Sequence, residues 1–202
     1  DKIASKIDNA IICSVSKSTI EWKEKLKDKL VLELDYNLSI PFENDYLTPK
    51  TLGMDRVAAI AGATTFFPIK DVLVIDAGTC ITFDFYQNST YRGGAISPGI
   101  YLKFKALHNF TEKLPLVELE NSAQLIGRNT KQSILSGVLN GTIAEINYTI
   151  EEYKRISHNL AVILCGGDAN LLSKSLKNVD LVEKELVLIG LNEILNYNVK
   201  KI

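Results

Sequence analysis

Histidine and cysteine are scarce in this chain, with two of the first and three of the second in 202 residues. Cys13, Cys80 and Cys165 are an odd number without paired spacing, which argues against a disulfide framework. Each lies in an apolar segment, so all three are expected to be small buried hydrophobes. His108 and His158 are isolated from each other, leaving no zinc-type cluster and no metal or catalytic pattern around either. Charge of one sign is lacking too. The 23 basic and 24 acidic residues leave a net charge of −1, so there is no basic field to attract nucleic acid. No apolar run approaches the length of a membrane span, and the polar, acidic first residues do not resemble a signal peptide. The expectation is a cytoplasmic protein with no nucleic-acid or membrane partner. An apolar content of 46% and a charged content of 23% belong to an ordinary globular protein, either one large domain or two packed lobes.

Periodicity and turn residues divide the chain coarsely. Residues 10–15 read as a buried strand, with Ser14, Ser16 and Ser18 at its exit. Ser18 and Glu21 form a capping-box pattern for a helix reaching about Leu30. Residues 31–34 read as a second strand. A polar loop with Tyr46, Thr48 and Pro49 then leads to Gly53-Met54-Asp55-Arg56, which opens an alanine-rich helix ending near Pro68. Strands over 72–76, 80–86 and 90–96 form a meander, followed by a helix from Gly99 to about Phe110. One long helix is predicted over 130–156, then a strand over 160–165 and helices over 170–176 and 186–197. From Val72 the order is three strands, helices, strand, helix. From Ala10 it is strand, helix, strand, helix, the later part of the same unit without its opening meander. No low-complexity linker separates the halves, which are drawn as domains 1–68 and 69–202.

Chemistry concentrates at a few turns. Asp76-Ala77-Gly78-Thr79 closes an apolar strand. Gly78 lets backbone approach an anion, and Thr79 offers an N–H and a hydroxyl. An acid, a glycine and a threonine there suit phosphate and cation handling, which points to a nucleotide-using enzyme. Asp76 either ligates a cation beside phosphates or ties down its own turn. Asp55, at a helix start, suits the positive end of the helix dipole and can accept a proton from an alcohol. Arg56 offers a planar donor fork for a carboxylate. The alternative is an ordinary first-turn acid beside a surface arginine. Gly166-Gly167-Asp168 either lets backbone pass a nucleoside or makes a plain strand-to-helix turn. Thr130 reads locally as a helix N-cap.

Taken in order, Tyr46, Gly53–Arg56, Asp76–Thr79, Gly93-Gly94-Ala95-Ile96-Ser97-Pro98-Gly99 and Asn129-Thr130 before Ser133-Ile134 form a more specific series. The series resembles the type III pantothenate kinases, members of the acetate kinase, sugar kinase, heat-shock ATPase and actin superfamily. The resemblance implies an α/β protein with a duplicated ribonuclease H-like, actin-like ATPase fold. It implies ATP-dependent phosphorylation of pantothenate to 4′-phosphopantothenate, the first step toward coenzyme A. By position, Asp55 would be the general base. Tyr46, Gly53, Met54, Asp55, Arg56 and Thr130 would meet pantothenate, with Arg56 on its carboxylate. Gly78 and Thr79 would meet ATP, and Asp76 would hold potassium or ammonium. Magnesium and a homodimer with pockets near its interface are implied as well.

The family opens with a strand and an Asp-x-Gly-Asn-Thr/Ser phosphate turn, and no such pattern stands in residues 1–45. The expectation is that a stretch of about 35–45 residues, the size of the missing meander, belongs before Asp1. Without that turn, turnover should nearly vanish. The alternative function is a non-catalytic regulatory or ligand-binding relative of the same fold. A kinase of another small acid or sugar is favoured less, because Tyr46 and Gly53–Arg56 match the pantothenate pattern.

Overall fold

Apolar runs bounded by glycine turns become strands, and small-residue stretches become closely packed helices. The computed structural model describes residues 7–13 and 20–201, with side chains in the second stretch from residue 23 onward. Ser14, Ser16 and Ser18, and with them the capping-box reading, lie outside the described residues. In chain order the first elements are β1 (Asn9–Ile12), α1 (Ile20–Lys25), β2 (Leu30–Glu33) and β3 (Glu43–Asn44). A 3-10 turn (Pro49–Thr51) precedes α2 (Met54–Phe66). Then come β4 (Asp71–Ala77), β5 (Cys80–Gln87), β6 (Thr90–Pro98) and α3 (Ile100–Asn109). The last elements are α4 (Thr130–Leu135), a π-helical segment (Ser136–Asn140), α5 (Gly141–Ile156), β7 (Leu160–Cys165), α6 (Ala169–Leu172), β8 (Leu181–Val182) and α7 (Leu186–Val199).

These elements fall into two units. Unit 1 takes Asp1–Ile69, Tyr86–Gly93 and Glu185–Ile202. In it β1 and β2 pair in parallel, Asn9 opposite Leu30 and Ile12 opposite Glu33. A parallel pair requires a crossover, and α1 supplies it in sequence. α1 stops at Lys25, short of the predicted Leu30, because the chain turns there: Lys29 N–H donates to Leu26 O at 2.9 Å, and Leu26 is buried. α2 and α7 approach backbone to backbone. A Cβ on Gly62 would stand 2.3 Å from Leu186 O, and one on Gly190 would stand 1.7 Å from Ala58 O. Ala58, Ala59, Ala61 and Ala63 line the same helix, all buried. Small side chains here are the means of contact, as in any close helix pair.

Unit 2 takes Lys70–Phe85 and Gly94–Lys184. Its strands lie in the order β6-β5-β4-β7-β8. β7 runs parallel to β4, with Asp71 opposite Leu160 and Asp76 opposite Cys165, and β8 runs parallel to β7. All six residues of β7 are buried, as a strand between parallel neighbours requires. Two-residue turns join β4 to β5 and β5 to β6, making the predicted meander antiparallel. The second turn, whose residues count with unit 1, carries Asn88 and Ser89 at φ of 51° and 61°, the left-handed pair of a tight hairpin. The core gathers Leu73, Ile75, Phe83, Phe104, Ile146 and Ile150. Full burial of each such side chain stabilises by about 1.5–3 kcal/mol. Three strands, helices, strand, helix is the ribonuclease H-like order expected of this half.

Several expectations need correction. The helix predicted over 130–156 is interrupted by the π segment. There Ser136 Oγ donates to Leu125 O at 2.7 Å, and Asn140 Nδ2 donates to Gln124 O at 3.4 Å. Side chains answering to the 124–125 loop displace the regular ladder, and such bulges recur where a helix serves a loop. The helix predicted over 170–176 shortens to Ala169–Leu172, and N–H groups of Ser173, Ser175 and Leu176 continue it only as turns on the carbonyls of Ala169 and Leu172. The two-residue strands β3 and β8 were not anticipated.

Candidate active site

The head of α2 is built from a glycine and an acid. Gly53 is the N-cap, and its carbonyl accepts from Arg56 N–H at 3.2 Å and Val57 N–H at 3.4 Å. Asp55 is solvent-exposed, and its Oδ1 accepts from Arg56 N–H at 2.9 Å. A Cβ on Gly53 would stand only 2.4 Å from that oxygen, so the glycine is what lets the carboxylate fold back over the helix start. Met54 is half-buried. Arg56 is not the surface residue of the alternative reading, since it is only 7% exposed. Its guanidinium lies 5.8 Å from the centre of the Tyr46 ring, within cation–π reach. Tyr46, half-buried, stacks on Tyr91 with ring centres 6.1 Å apart and planes at 24°. Unit 1 thus brings Tyr46, Gly53, Met54, Asp55 and Arg56 to one place. Burial raises the pKa of the Cys13 thiol, and the nearby Asp55 charge adds to the shift.

In unit 2 the turn after β4 is clamped from both sides. Gly78 N–H donates to Cys80 O at 2.9 Å, and Gly99 N–H donates to Thr79 O at 3.0 Å. A Cβ on Gly99 would fall 2.0 Å from Gly78 O, so the glycine of the Ser97-Pro98-Gly99 turn is required by contact. On the β7 side Asp168 N–H donates to Ala77 O at 2.9 Å. Gly166, at φ +90°, would place a Cβ 2.3 Å from Asp76 Oδ1 and 2.4 Å from Ala77 O. Backbone therefore presses directly on the carboxylate near the end of β4. Gly166→Ala is expected to cost about 1–3 kcal/mol through its left-handed backbone and this clash. Thermal unfolding should fall by roughly 2–4 °C per kcal/mol. An unchanged midpoint would refute the contact. Burial raises the pKa of Asp168, the residue after this glycine pair.

Thr130 is exposed at the first position of α4, not at its cap. The N-cap is Asn129, whose Oδ1 accepts from Gln132 N–H at 2.9 Å and so satisfies one of the free N–H groups of the first turn. The cysteines also divide. Cys165 is buried as expected, Cys13 is half-buried, and Cys80 is exposed, because β5 begins at the turn rather than in the core. Burial, with help from Asp76, Asp84 and Glu183, pushes the Cys165 thiol far above its ordinary 9.0. Its neutral form therefore favours folding below that value, and the contribution fades as pH rises past it. Alkylation of native protein near pH 8 should label Cys80 quickly and leave Cys165 untouched until unfolding. Equal rates would contradict that burial.

Among the described residues no three or more His, Cys, Asp or Glu side chains converge as a metal cage. The groups that do fit a hard cation are oxygens at the β4 turn, Asp76 above all, in a space that a Cβ on Gly166 would fill. Sequence reading missed the Tyr91 stack under Tyr46 and the burial of Arg56. No periodicity marks either, and only a tyrosine two residues before Gly93 hints at the first.

A family model described as type III pantothenate kinase matches residues 1–152. The type III pantothenate kinase of Christiangramia forsetii is 44% identical over 194 residues, spanning 95% of this chain and 80% of that protein. The type III pantothenate kinase of Cytophaga hutchinsonii is 50% identical over 167 residues, spanning 82% and 71%. Among solved structures, a Baf-family protein of Campylobacter jejuni described as a transcriptional activator matches with a TM-score of 0.65. It is 24% identical and covers 99% of this chain and 88% of its own, a likeness of fold. No helix among the described residues is long and apolar enough to cross a membrane. The chain belongs to the type III pantothenate kinase family.

Proposed function

We propose that the protein transfers the γ-phosphoryl group of ATP to the primary hydroxyl of pantothenate in the cytoplasm, opening the route to coenzyme A. One observation carries the assignment of the acceptor site. A deeply buried arginine against an aromatic ring is the residue next to an exposed carboxylate at a helix head. That pairing holds an acid by one residue and deprotonates an alcohol by its neighbour. Arg56 binds the pantothenate carboxylate through its donor fork. Tyr46 packs against the substrate, and Gly53 and Met54 shape the pocket around Asp55. The Asp55 carboxylate takes the hydroxyl proton as the oxygen bonds to the γ-phosphorus. The bond from that phosphorus to the β,γ-bridging oxygen breaks, and ADP leaves.

In unit 2, Gly78 and Thr79 meet the ATP phosphates through backbone N–H groups and the Thr79 hydroxyl. Asp76 is the ligand for potassium or ammonium, whose charge offsets that of the phosphates. Magnesium would enter with the nucleotide and neutralise charge on its phosphates. Thr130 contacts pantothenate in the homodimer.

Saturation-transfer NMR tests the acceptor assignment. Pantothenate should show transfer from the protein, whereas panthenol, with a hydroxymethyl group in place of the carboxylate, should show little. Absence of pantothenate binding to folded protein would refute the acceptor. A second expectation concerns the cation. Phosphorylation by the intact gene product should be faster in potassium than in sodium, and Asp76→Ala should abolish the difference. A potassium response that survives this change would remove Asp76 from its role.

A further inference from the structure

Tyr46 has little of its own to hold it in place. β3 ends two residues before it, and Leu47 beyond it is 97% exposed. Its backbone is steered by Asn44, whose Oδ1 accepts from Tyr46 N–H at 3.0 Å, and by Asp45 N–H donating to Tyr91 O at 3.0 Å. Parallel pairing of Asn44 with Tyr91 sets that register. The ring itself rests on β6. Tyr91 and Gly93 are two apart on this strand and share a face. Tyr91 is fully buried and stacks under the Tyr46 ring. Gly93 sits at φ +97°, and a Cβ there would stand 3.3 Å from Tyr46 Cδ2 and 3.5 Å from Cε2. Any side chain at 93 would therefore tilt the ring or strain the strand. The Arg56 guanidinium lies 5.8 Å from the centre of the same ring. The Arg92–Asp45 ion pair beside the stack is exposed, so it adds little.

We infer that Tyr91 and Gly93 are positioning residues for pantothenate, fixing the plane of the Tyr46 ring and acting through it. The inference rests on the proposed role of Tyr46 in the acceptor site. A rigid buried ring below and a bare backbone at one edge leave Tyr46 a single resting plane, so its entropy is lost on folding rather than on substrate binding. Removing the stack frees the ring and should weaken pantothenate without touching ATP.

A double-mutant cycle on the intact gene product tests this, with pantothenate affinity measured by titration calorimetry and the kinetic constants measured alongside. Tyr91→Leu should weaken pantothenate roughly three- to tenfold, the range of an aromatic pair. KM for pantothenate should rise in step, while kcat and KM for ATP hold. Tyr91→Phe, which keeps the ring, should bind as wild type does. In a Tyr46→Leu background, Tyr91→Leu should have no further effect. An equal loss in both backgrounds overturns the inference, because Tyr91 would then act independently of Tyr46. A Tyr46→Leu variant that binds pantothenate normally overturns it together with the proposed role of Tyr46, a distinguishable failure. Should Tyr91→Leu not fold, Gly93→Ala decides. The same pantothenate-only loss, absent without the Tyr46 ring, supports the inference, and unchanged binding overturns it.

Discussion

Asp55→Asn lowers turnover by about 10²- to 10⁴-fold, the contribution of a positioned general base, while pantothenate binding stays close to that of wild type. The asparagine is isosteric, and its Oδ1 can still accept the Arg56 N–H that Asp55 holds at 2.9 Å. The head of α2 therefore keeps its shape, and only the capacity to take a proton is lost. Steady-state kinetics should show kcat and kcat/KM falling together, the signature of an interaction made in the transition state. Steric crowding gives a second handle on the same group. Gly53→Ala displaces Asp55, because the added carbon would stand 2.4 Å from its oxygen. Turnover near normal in Asp55→Asn would assign the proton to another group.

Arg56→Ala weakens pantothenate binding by a different route. A hydrogen bond to a charged group contributes about 1.5–3 kcal/mol, which is roughly 10- to 100-fold in affinity. The loss should appear in KM and in the dissociation constant alike. ATP affinity should be unaffected, which separates this variant from a general loss of fold. Arg56→Lys keeps the charge but not the planar fork, so it should fall between wild type and Arg56→Ala. Because Arg56 is only 7% exposed and adjoins Tyr46, some stability will be lost with it, and circular dichroism should accompany the titration. Unaltered pantothenate affinity in folded Arg56→Ala would show that the carboxylate is held elsewhere.

Legibility in the sequence followed physical range. β7 could be read to its end residues, because parallel neighbours on both sides demand an unbroken apolar run and nothing polar intrudes. The start of α2 was legible through Gly53 and a first-turn acid. The π segment was not, because Val138 and Leu139 stay buried and continue the apolar rhythm while Ser136 and Asn140 turn to a distant loop. At the start of α4, two neighbouring residues both suit an N-cap, and only geometry selects Asn129 over Thr130. β3 and β8 are two residues each, too short to carry any period. In the acceptor site the residue types were visible but their environment was not. Arg56 reads as a surface residue until α2 is folded, and the Tyr46–Tyr91 stack joins residues 45 positions apart. The glycine turn at Asp76–Thr79 was legible as the end of an apolar strand. That Gly166 presses on Asp76 depends on strand pairing between β4 and β7.

Phosphorus NMR of the intact gene product with ATP, magnesium, potassium and pantothenate tests the central claim most directly. A phosphomonoester resonance should grow as ADP forms, only when pantothenate is present, and should grow at least about a hundredfold more slowly with Asp55→Asn. ATP consumption indifferent to pantothenate, or no phosphomonoester from folded protein that binds both substrates, would contradict it.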